Sequence, residues 1–565
     1  MSKSGAASKF SHLPRAAKGP IECPLEGSAL LQSSYYNKGS AFPDDERQEF
    51  RLHGLLPPNV QTLDEQIKRA YEQYSSRPDD LAKNTFMASL KAQNEVLYYK
   101  LIQTHLKEMF SVIYTPTEGD AIQNYSRLFR RPEGCFLNIH DLDRIETSLS
   151  QFGESGRNEE IDYIVVTDGE EVSDTSTRTS FLQLTYPVQD SRNWRSGSGI
   201  DPHLGRETCS DHFMRWDSSF KAAASGFRHP RVRGEKYDSE DFGLNNARRL
   251  LDKYRPRVPC FNDDIQGTGC VTLAALMAAL HVSKITLSEV RVVIFGSGSA
   301  GTGIADQITD AIATESNKSK GDAAKQIWCL DKPGLLLKSY KDKLTPAQVP
   351  FARDDSEWPN KEHLDLFSVV KTVKPHVLIG TSTRPNSFTE DIVREMGKHV
   401  ERPVIFPLSN PTRLHEAQPK DINDWTEGRA LIATGSPFPP VEYNGVKYEI
   451  AECNNSTCFP GIGLGAVLSR TLLLSDKMLV AAVKALAAQS PALKDPNKPL
   501  LPDVVDVREI SVHIAKAVIK CAMREGLAQE KDIPMEDGEL DEWIRTQMWD
   551  PEYRPLVKPA KPKST

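Results

Sequence analysis

Two adjacent carboxylates, Asp263 and Asp264, stand in the run Phe261-Asn262-Asp263-Asp264-Ile265-Gln266-Gly267-Thr268, among apolar and turn-forming neighbours. A second acidic pair, Glu240-Asp241, lies a short way upstream. Hard divalent cations such as Mg²⁺ and Mn²⁺ take a few carboxylate oxygens of this kind and leave positions for water and substrate. Taken alone, acidic doublets read equally well as solvated loop residues. The pairs therefore gain weight from what else the chain carries.

Further along comes Gly296-Ser297-Gly298-Ser299-Ala300-Gly301, a G-x-G-x-x-G run between a strand-like segment and a helical pattern. The first glycine permits a tight turn, the second lets backbone amides approach a pyrophosphate, and the third lets helix and strand pack closely. Gly296, Ser297, Gly298 and Gly301 are thus expected to bind a dinucleotide. Asp331 closes the next strand, in Cys329-Leu330-Asp331-Lys332. It lies beyond the usual spacing of ~20 residues, which a polar stretch from Glu315 to Lys325, read as a loop, accounts for. A carboxylate there hydrogen-bonds the ribose hydroxyls and repels a 2′-phosphate, so NAD is favoured over NADP, with Lys332 and Lys338 pulling the other way. A divalent-metal site beside a nicotinamide site points to oxidation of a hydroxy acid.

These residues need a scaffold. From Leu63 to Phe110 apolar residues recur at helical spacing, as in Leu90, Val96, Leu97, Leu101 and Ile102. Tyr114-Thr115-Pro116-Thr117-Glu118-Gly119 reads as a turn and Ile161 to Thr167 as a short buried strand. Beyond residue 280 strands and helices alternate. Strands are expected at 291–295, 327–330, 377–379, 404–406 and 430–433, with Ile304, Ile308, Ala311 and Ile312 on one face of the helix after the first. That order predicts a parallel, doubly wound sheet with ligands at the carboxyl ends of its strands. Four polar loops fall there: 296–298, 380–382, 409–412 and 435–438.

Bulk properties narrow the class. With 565 residues the chain exceeds one core. A hydrophobic content of 39% and a charged content of 26% are those of a soluble globular protein. A net charge of −7 gives no steering towards nucleic acid or an anionic membrane. The best apolar run, Val271 to Val282, is broken by Thr272 and His281 and reads as too short to span a bilayer. Nine cysteines without a C-x-x-C imply reduced, intracellular thiols rather than disulfides or zinc. Lys3, Lys9, Arg15 and Lys18 precede the first acid, Glu22, which faintly suggests a mitochondrial transit segment but also fits a disordered tail; matrix and cytosol both stay open.

Taken together, the motifs resemble malic enzyme, which oxidatively decarboxylates malate to pyruvate and CO₂. The carriers are Asn37-Lys38-Gly39, His53 to Pro58, Gln93-Asn94-Glu95, Tyr114 to Thr117, Arg228 to Gly234, Glu240-Asp241-Phe242, Phe261 to Thr268, Leu408 to Thr412 and Asn454-Asn455-Ser456. The resemblance implies a multi-domain α/β subunit with a helical N-terminal region, a malic-enzyme N-domain and a Rossmann-type NAD-binding domain. Expected bounds are 1–80, 81–271 and 281–540, with a tail at 541–565. It further implies a homodimer or homotetramer, malate as substrate, and Mg²⁺ or Mn²⁺ beside NAD. Glu240, Asp241 and Asp264 become metal ligands with Asp263 behind them, Tyr114 the general acid, and Asn410, Asn454 and Asn455 substrate contacts.

The family pattern breaks after Glu170. A substrate-gripping arginine and a helix bearing a catalytic lysine are expected, yet residues 171–226 hold ten serines and no sustained apolar periodicity. Gap-free counting sets Glu171 at the arginine and Gln189 at the lysine. Only Ser239 separates Tyr237-Asp238 from Glu240-Asp241, where a helix and a ligand-aiming strand belong. Such a chain is expected to be impaired as an enzyme. Other readings are a non-catalytic NAD-binding or oligomerising relative and another NAD(P)-dependent dehydrogenase.

Overall fold

A computed structural model of the chain describes residues 19–128, 135–137, 143–145, 147–149, 163–167, 180–185, 236–239, 244–359, 364–410 and 412–559. They divide into two units, 1–235 with 542–565, and 236–541.

In the first unit the helical stretch is four helices, Leu63–Ser75, Asp80–Gln93, Glu95–Thr104 and Leu106–Ile113. The start and the first two breaks have local causes. Thr62 and Glu65 form a reciprocal capping box, Asp79 caps the second helix, and Asn94 ends the second and caps the third. The turn expected over 114–119 is shorter: a helix already starts at Thr117 and runs to Gln123. Tyr163–Thr167 pairs antiparallel with Ser180–Thr185, which pairs in turn with Cys135–Leu137. The serine-rich segment therefore does supply a strand, Ser180–Thr185. The end of the chain returns to its start, Leu556–Val557 lying parallel to Ile21–Glu22. Glu46 holds this return, pairing with Lys38 at 2.6 Å and accepting from the Leu556 N–H at 3.0 Å, with both side chains buried.

The second unit begins with β1 (Lys236–Ser239), parallel to β2 (Cys260–Asn262). A π-helical turn, Asp263–Gly267, leads into α1 (Thr268–Ser283). Turn and helix together are long and apolar enough to cross a membrane by composition, more than the sequence run implied. Most of their residues are instead packed inside the unit. Then come β3 (Val292–Phe295), α2 (Ser299–Ser316), β4 (Ile327–Asp331), β5 (Gly334–Leu335), β6 (Val377–Gly380), β7 (Val404–Pro407), β8 (Leu431–Thr434) and β9 (Ala451–Glu452). Their order in the sheet is β9-β8-β7-β6-β3-β4-β5, parallel except for β5. The stretch expected as a loop over 315–325 contains the end of α2 and a further helix, Lys320–Ala324 capped by Ser319.

Alternation sorts the strands' side chains between two cores. Val292, Ile294, Val377, Ile379 and Val404 face α1 and the stripe Ile304, Ile308, Ala311 and Ile312 of α2, all fully buried. Val293, Leu378 and Ile405 face Val369, Val370, Val393 and Met396 on the other side. Burying a branched aliphatic side chain of this kind contributes about 1.5–3 kcal/mol. The sheet is thus doubly wound.

The start of β3 carries a titratable brace. The Arg291 N–H donates to Nδ1 of half-buried His376, at 3.1 Å, so the imidazole must be neutral there. Burial and the Arg291 charge push its pKa from 6.5 down to about 4. The folded state therefore refuses a proton that the unfolded chain takes up below pH 6.5, and stability falls as pH drops from 6.5 towards 4. A loss on the order of 1–3 kcal/mol is expected across that window. It is read as a lower urea midpoint at pH 5 than at pH 7, and the gap should shrink in His376→Gln.

Candidate functional site

The strands that precede the two acidic pairs in the sequence are neighbours. β1 ends at Ser239, the residue before Glu240, and β2 ends at Asn262, the residue before Asp263; in the parallel register Ser239 lies opposite Asn262. The strand expected to be missing before Glu240 is thus present in β1. Glu240 and Asp241 themselves fall outside the described residues. Asp263 is 2% exposed, and burial, reinforced by the neighbouring Asp264 charge, pushes its carboxyl up to about 7. Asn455 donates to it at 3.0 Å, while Oδ1 finds no partner among the described residues. Asp264 is half-buried on the same turn. A buried carboxylate with an orphan oxygen beside a second acid fits a nearby divalent cation, whose charge would relieve both.

The acidic turn rests on the dinucleotide helix. A Cβ added to Gly303 of α2 would lie 2.5 Å from the Ile265 carbonyl oxygen, so the two backbones touch. At the amino end of α2, Gly296 turns with φ +103°, and a Cβ there would meet the Thr381 backbone at 2.4 Å. A Cβ on Gly301 would overlap the Gly296 carbonyl oxygen. Gly298 sits at the N-cap of α2, where a pyrophosphate meets unpaired N–H groups. Ser297 is buried, and its hydroxyl donates to the Leu330 carbonyl at 2.9 Å, so it anchors the turn to β4. Strand order reverses between β3 and β6, and the crevice above that point is where nucleotides lie in such sheets.

Asp331 at the end of β4 is held at both oxygens. It accepts from the Lys332 N–H at 2.8 Å and from Nε2 of Gln348 at 2.9 Å. Gln348 also donates to the Ser297 carbonyl at 2.9 Å. Sequence reading missed Gln348, because nothing in Thr-Pro-Ala-Gln announces a partner seventeen positions back.

The three asparagines differ. Asn410, exposed at the end of β7, accepts from the Ser436 hydroxyl. Asn454 caps the short helix Asn455–Thr457 and donates to Glu452 at 2.9 Å. Asn455 spends its amide N–H groups on Asp263 and on the Thr268 hydroxyl at 3.2 Å, bracing the acidic turn. Tyr114, in the other unit, is half-buried at the end of Leu106–Ile113, its ring 5.2 Å from that of Phe110.

A glycine-rich turn at the switch point of a doubly wound sheet, with paired acids beside the dinucleotide helix, defines a nicotinamide-dependent oxidoreductase. Residues 265–523 match the malic enzyme NAD-binding domain, and residues 91–173 match the malic enzyme N-terminal domain. The chain is 44% identical over 574 residues to the NAD-dependent malic enzyme of Schizosaccharomyces pombe, covering 96% of this chain and 100% of that one. It is 45% identical to the mitochondrial NAD-dependent malic enzyme of Saccharomyces cerevisiae, covering 96% and 85%. It is 42% identical to NAD-dependent malic enzyme 3 of Bacillus subtilis, covering 95% and 98%. The chain belongs to the malic enzyme family. The N-terminal domain match stops at residue 173 and the second starts at 265, which brackets the serine-rich segment.

The contact between Gly303 and Ile265 can be probed directly. Gly303→Ala forces turn and helix apart and is expected to cost about 1–3 kcal/mol, measured as a lowered urea midpoint. Unchanged stability would mean that the two backbones are not packed together.

Proposed function

We propose that this protein oxidatively decarboxylates malate to pyruvate and CO₂ with reduction of NAD. The Asp263-Asp264 turn, which follows a strand paired with the one ending at Ser239 and packs on Gly303 of the dinucleotide helix, is the observation that carries this reading. Glu240, Asp241 and Asp264 would hold Mg²⁺ or Mn²⁺, with Asp263 supporting Asp264 and Asn455 supporting Asp263. When bound, NAD supplies the hydride acceptor and the divalent cation the positive charge that stabilises oxygen anions along the reaction. Gly296, Gly298 and Gly301 bring backbone to the pyrophosphate, with Ser297 fixing their turn. Asp331 takes the adenosine ribose hydroxyls, Asn410 contacts a malate carboxylate, and Asn454 shapes the loop around Asn455. Tyr114 protonates the enolate carbon left when CO₂ departs. A homodimer or homotetramer in matrix or cytosol accords with the family.

By gap-free counting, Gln189 stands at the position of the lysine that would deprotonate the malate hydroxyl, and Glu171 at that of the arginine. Gln189 cannot serve as a base, and Glu171 would repel the carboxylate that an arginine attracts. Loss of a general base typically costs 10²–10⁴ in rate. Slow turnover is therefore expected, and a version with 171–226 rebuilt to the family pattern should be faster by about that factor. The test is malate turnover with Mn²⁺ for both versions, beside NADH binding. Equal rates would show that this segment does not limit the chemistry; absence of NADH binding would remove the reading itself. A chain that binds NADH without turnover would favour the non-catalytic alternative.

Cofactor choice gives a second check. Asp331→Ser removes the charge that repels a 2′-phosphate, so the ratio of NAD to NADP affinity should fall by about tenfold or more. The ratio of the two dissociation constants measures it.

A further inference from the structure

Beside the crevice lies a buried carboxylate to which no role has yet been given. Glu416 is 0% exposed, and no Lys or Arg is among its described partners. Instead its Oε1 accepts from the Ser382 N–H and the Ser382 hydroxyl, both at 2.8 Å, and from the Ser409 hydroxyl at 2.5 Å. Its Oε2 accepts the Ser409 N–H more loosely, at 3.4 Å. Ser382 belongs to the loop after β6 and Ser409 to the loop after β7. The carboxylate fits because residue 380 is glycine: a Cβ there would lie 2.5 Å from Glu416 Cδ and 2.7 Å from Oε2.

Both loops lead directly to functional positions. Next to Ser382, the Thr381 hydroxyl donates to the Gly296 carbonyl at 2.6 Å, across the point where strand order reverses. Next to Ser409 is Asn410. A second tie, from the Thr383 N–H to the Ser409 hydroxyl at 2.9 Å, joins the loops themselves. Burying a carboxylate without a cation is costly, and only a full set of donors makes it tolerable. Such a group fixes the spacing of the backbones that satisfy it.

We propose that Glu416 is the positioning residue of this site, setting the distance between the cofactor turn at Gly296 and the substrate contact at Asn410. This rests on the malate reading for its catalytic half and on dinucleotide binding alone for the other half. Near-attack geometry tolerates little error, since a displacement of ~1 Å can cost 10²-fold in rate.

The experiment compares the unmodified chain with Glu416→Gln and with the milder Ser409→Ala. In Glu416→Gln one acceptor becomes an NH₂ group facing donors. Expected are an NADH dissociation constant raised about 3- to 10-fold by fluorescence titration and a malate kcat/KM lowered about 10- to 100-fold. KM for malate should rise and kcat fall. The deuterium isotope effect on kcat/KM with malate labelled at C2 should grow, because hydride transfer becomes the slower step. Ser409→Ala should move each quantity the same way by less. A purely structural role would instead lower the folded fraction and leave KM, NADH affinity per folded chain and the isotope effect unchanged; that result overturns the proposal. If the unmodified chain binds NADH but does not oxidise malate, the malate reading falls and NADH affinity alone decides for or against Glu416. If NADH does not bind, both fall.

Discussion

The backbone contact between Ile265 and Gly303 is the constraint around which the second unit is organised. A π turn carrying two acids can lie on a dinucleotide helix only where that helix offers bare backbone, and Gly303 provides it. The helix in turn shares one core with β3, α1 and Phe261, which lies just before the turn. Close-packed interiors transmit displacement rather than absorb it. The Asp263-Asp264 turn and the cofactor turn are therefore placed by the same helix.

Carboxylates held by neutral groups finish the site, Asp263 and Glu416 buried and Asp331 half-buried. Asp263, Asp331 and Glu416 are each held by neutral donors: Asn455, Gln348 with a backbone N–H, and the Ser382 and Ser409 pair. Neutral clamps do not cancel a carboxylate's charge as a salt bridge would, which matters at Asp331, while fully buried Glu416 spends its charge on its own donors. The first unit makes the contrasting choice. Lys38 and Glu46 neutralise each other in its interior, and their work is to anchor the returning end of the chain. The chemistry of the two environments follows from the partners and not from the acids themselves.

The serine-rich segment shows how far local pattern and fold can separate. Ser180–Thr185 takes the central place in a three-stranded arrangement although its surroundings give no periodic signal. Strand pairing runs through backbone groups that every residue but proline carries, so a strand can be recruited where composition argues against it. Recruitment restores a layer but not a lysine or an arginine. A recruited strand thus fixes architecture without fixing which side chains are on offer, and the N-terminal domain match ends at residue 173, early in this segment.

Much was legible without coordinates. The five expected strands of the doubly wound sheet, the apolar stripe of α2 and the glycine turn depend on local rules of period, turn geometry and size, and each is found within a residue or two of its expected place. The family was also legible, because short motifs in fixed order survive as sequence. Hidden were the features made by residues distant in the chain: β1 beside β2, Gln348 on Asp331, Glu416 between two serines, and Asn455 turned onto Asp263. The sequence by itself determined which elements form and which residue types are available for metal and cofactor. Only the tertiary structure decided which donors satisfy which buried carboxylates, because that depends on the register of strands and the close approach of backbones, and neither is encoded in any single stretch of chain.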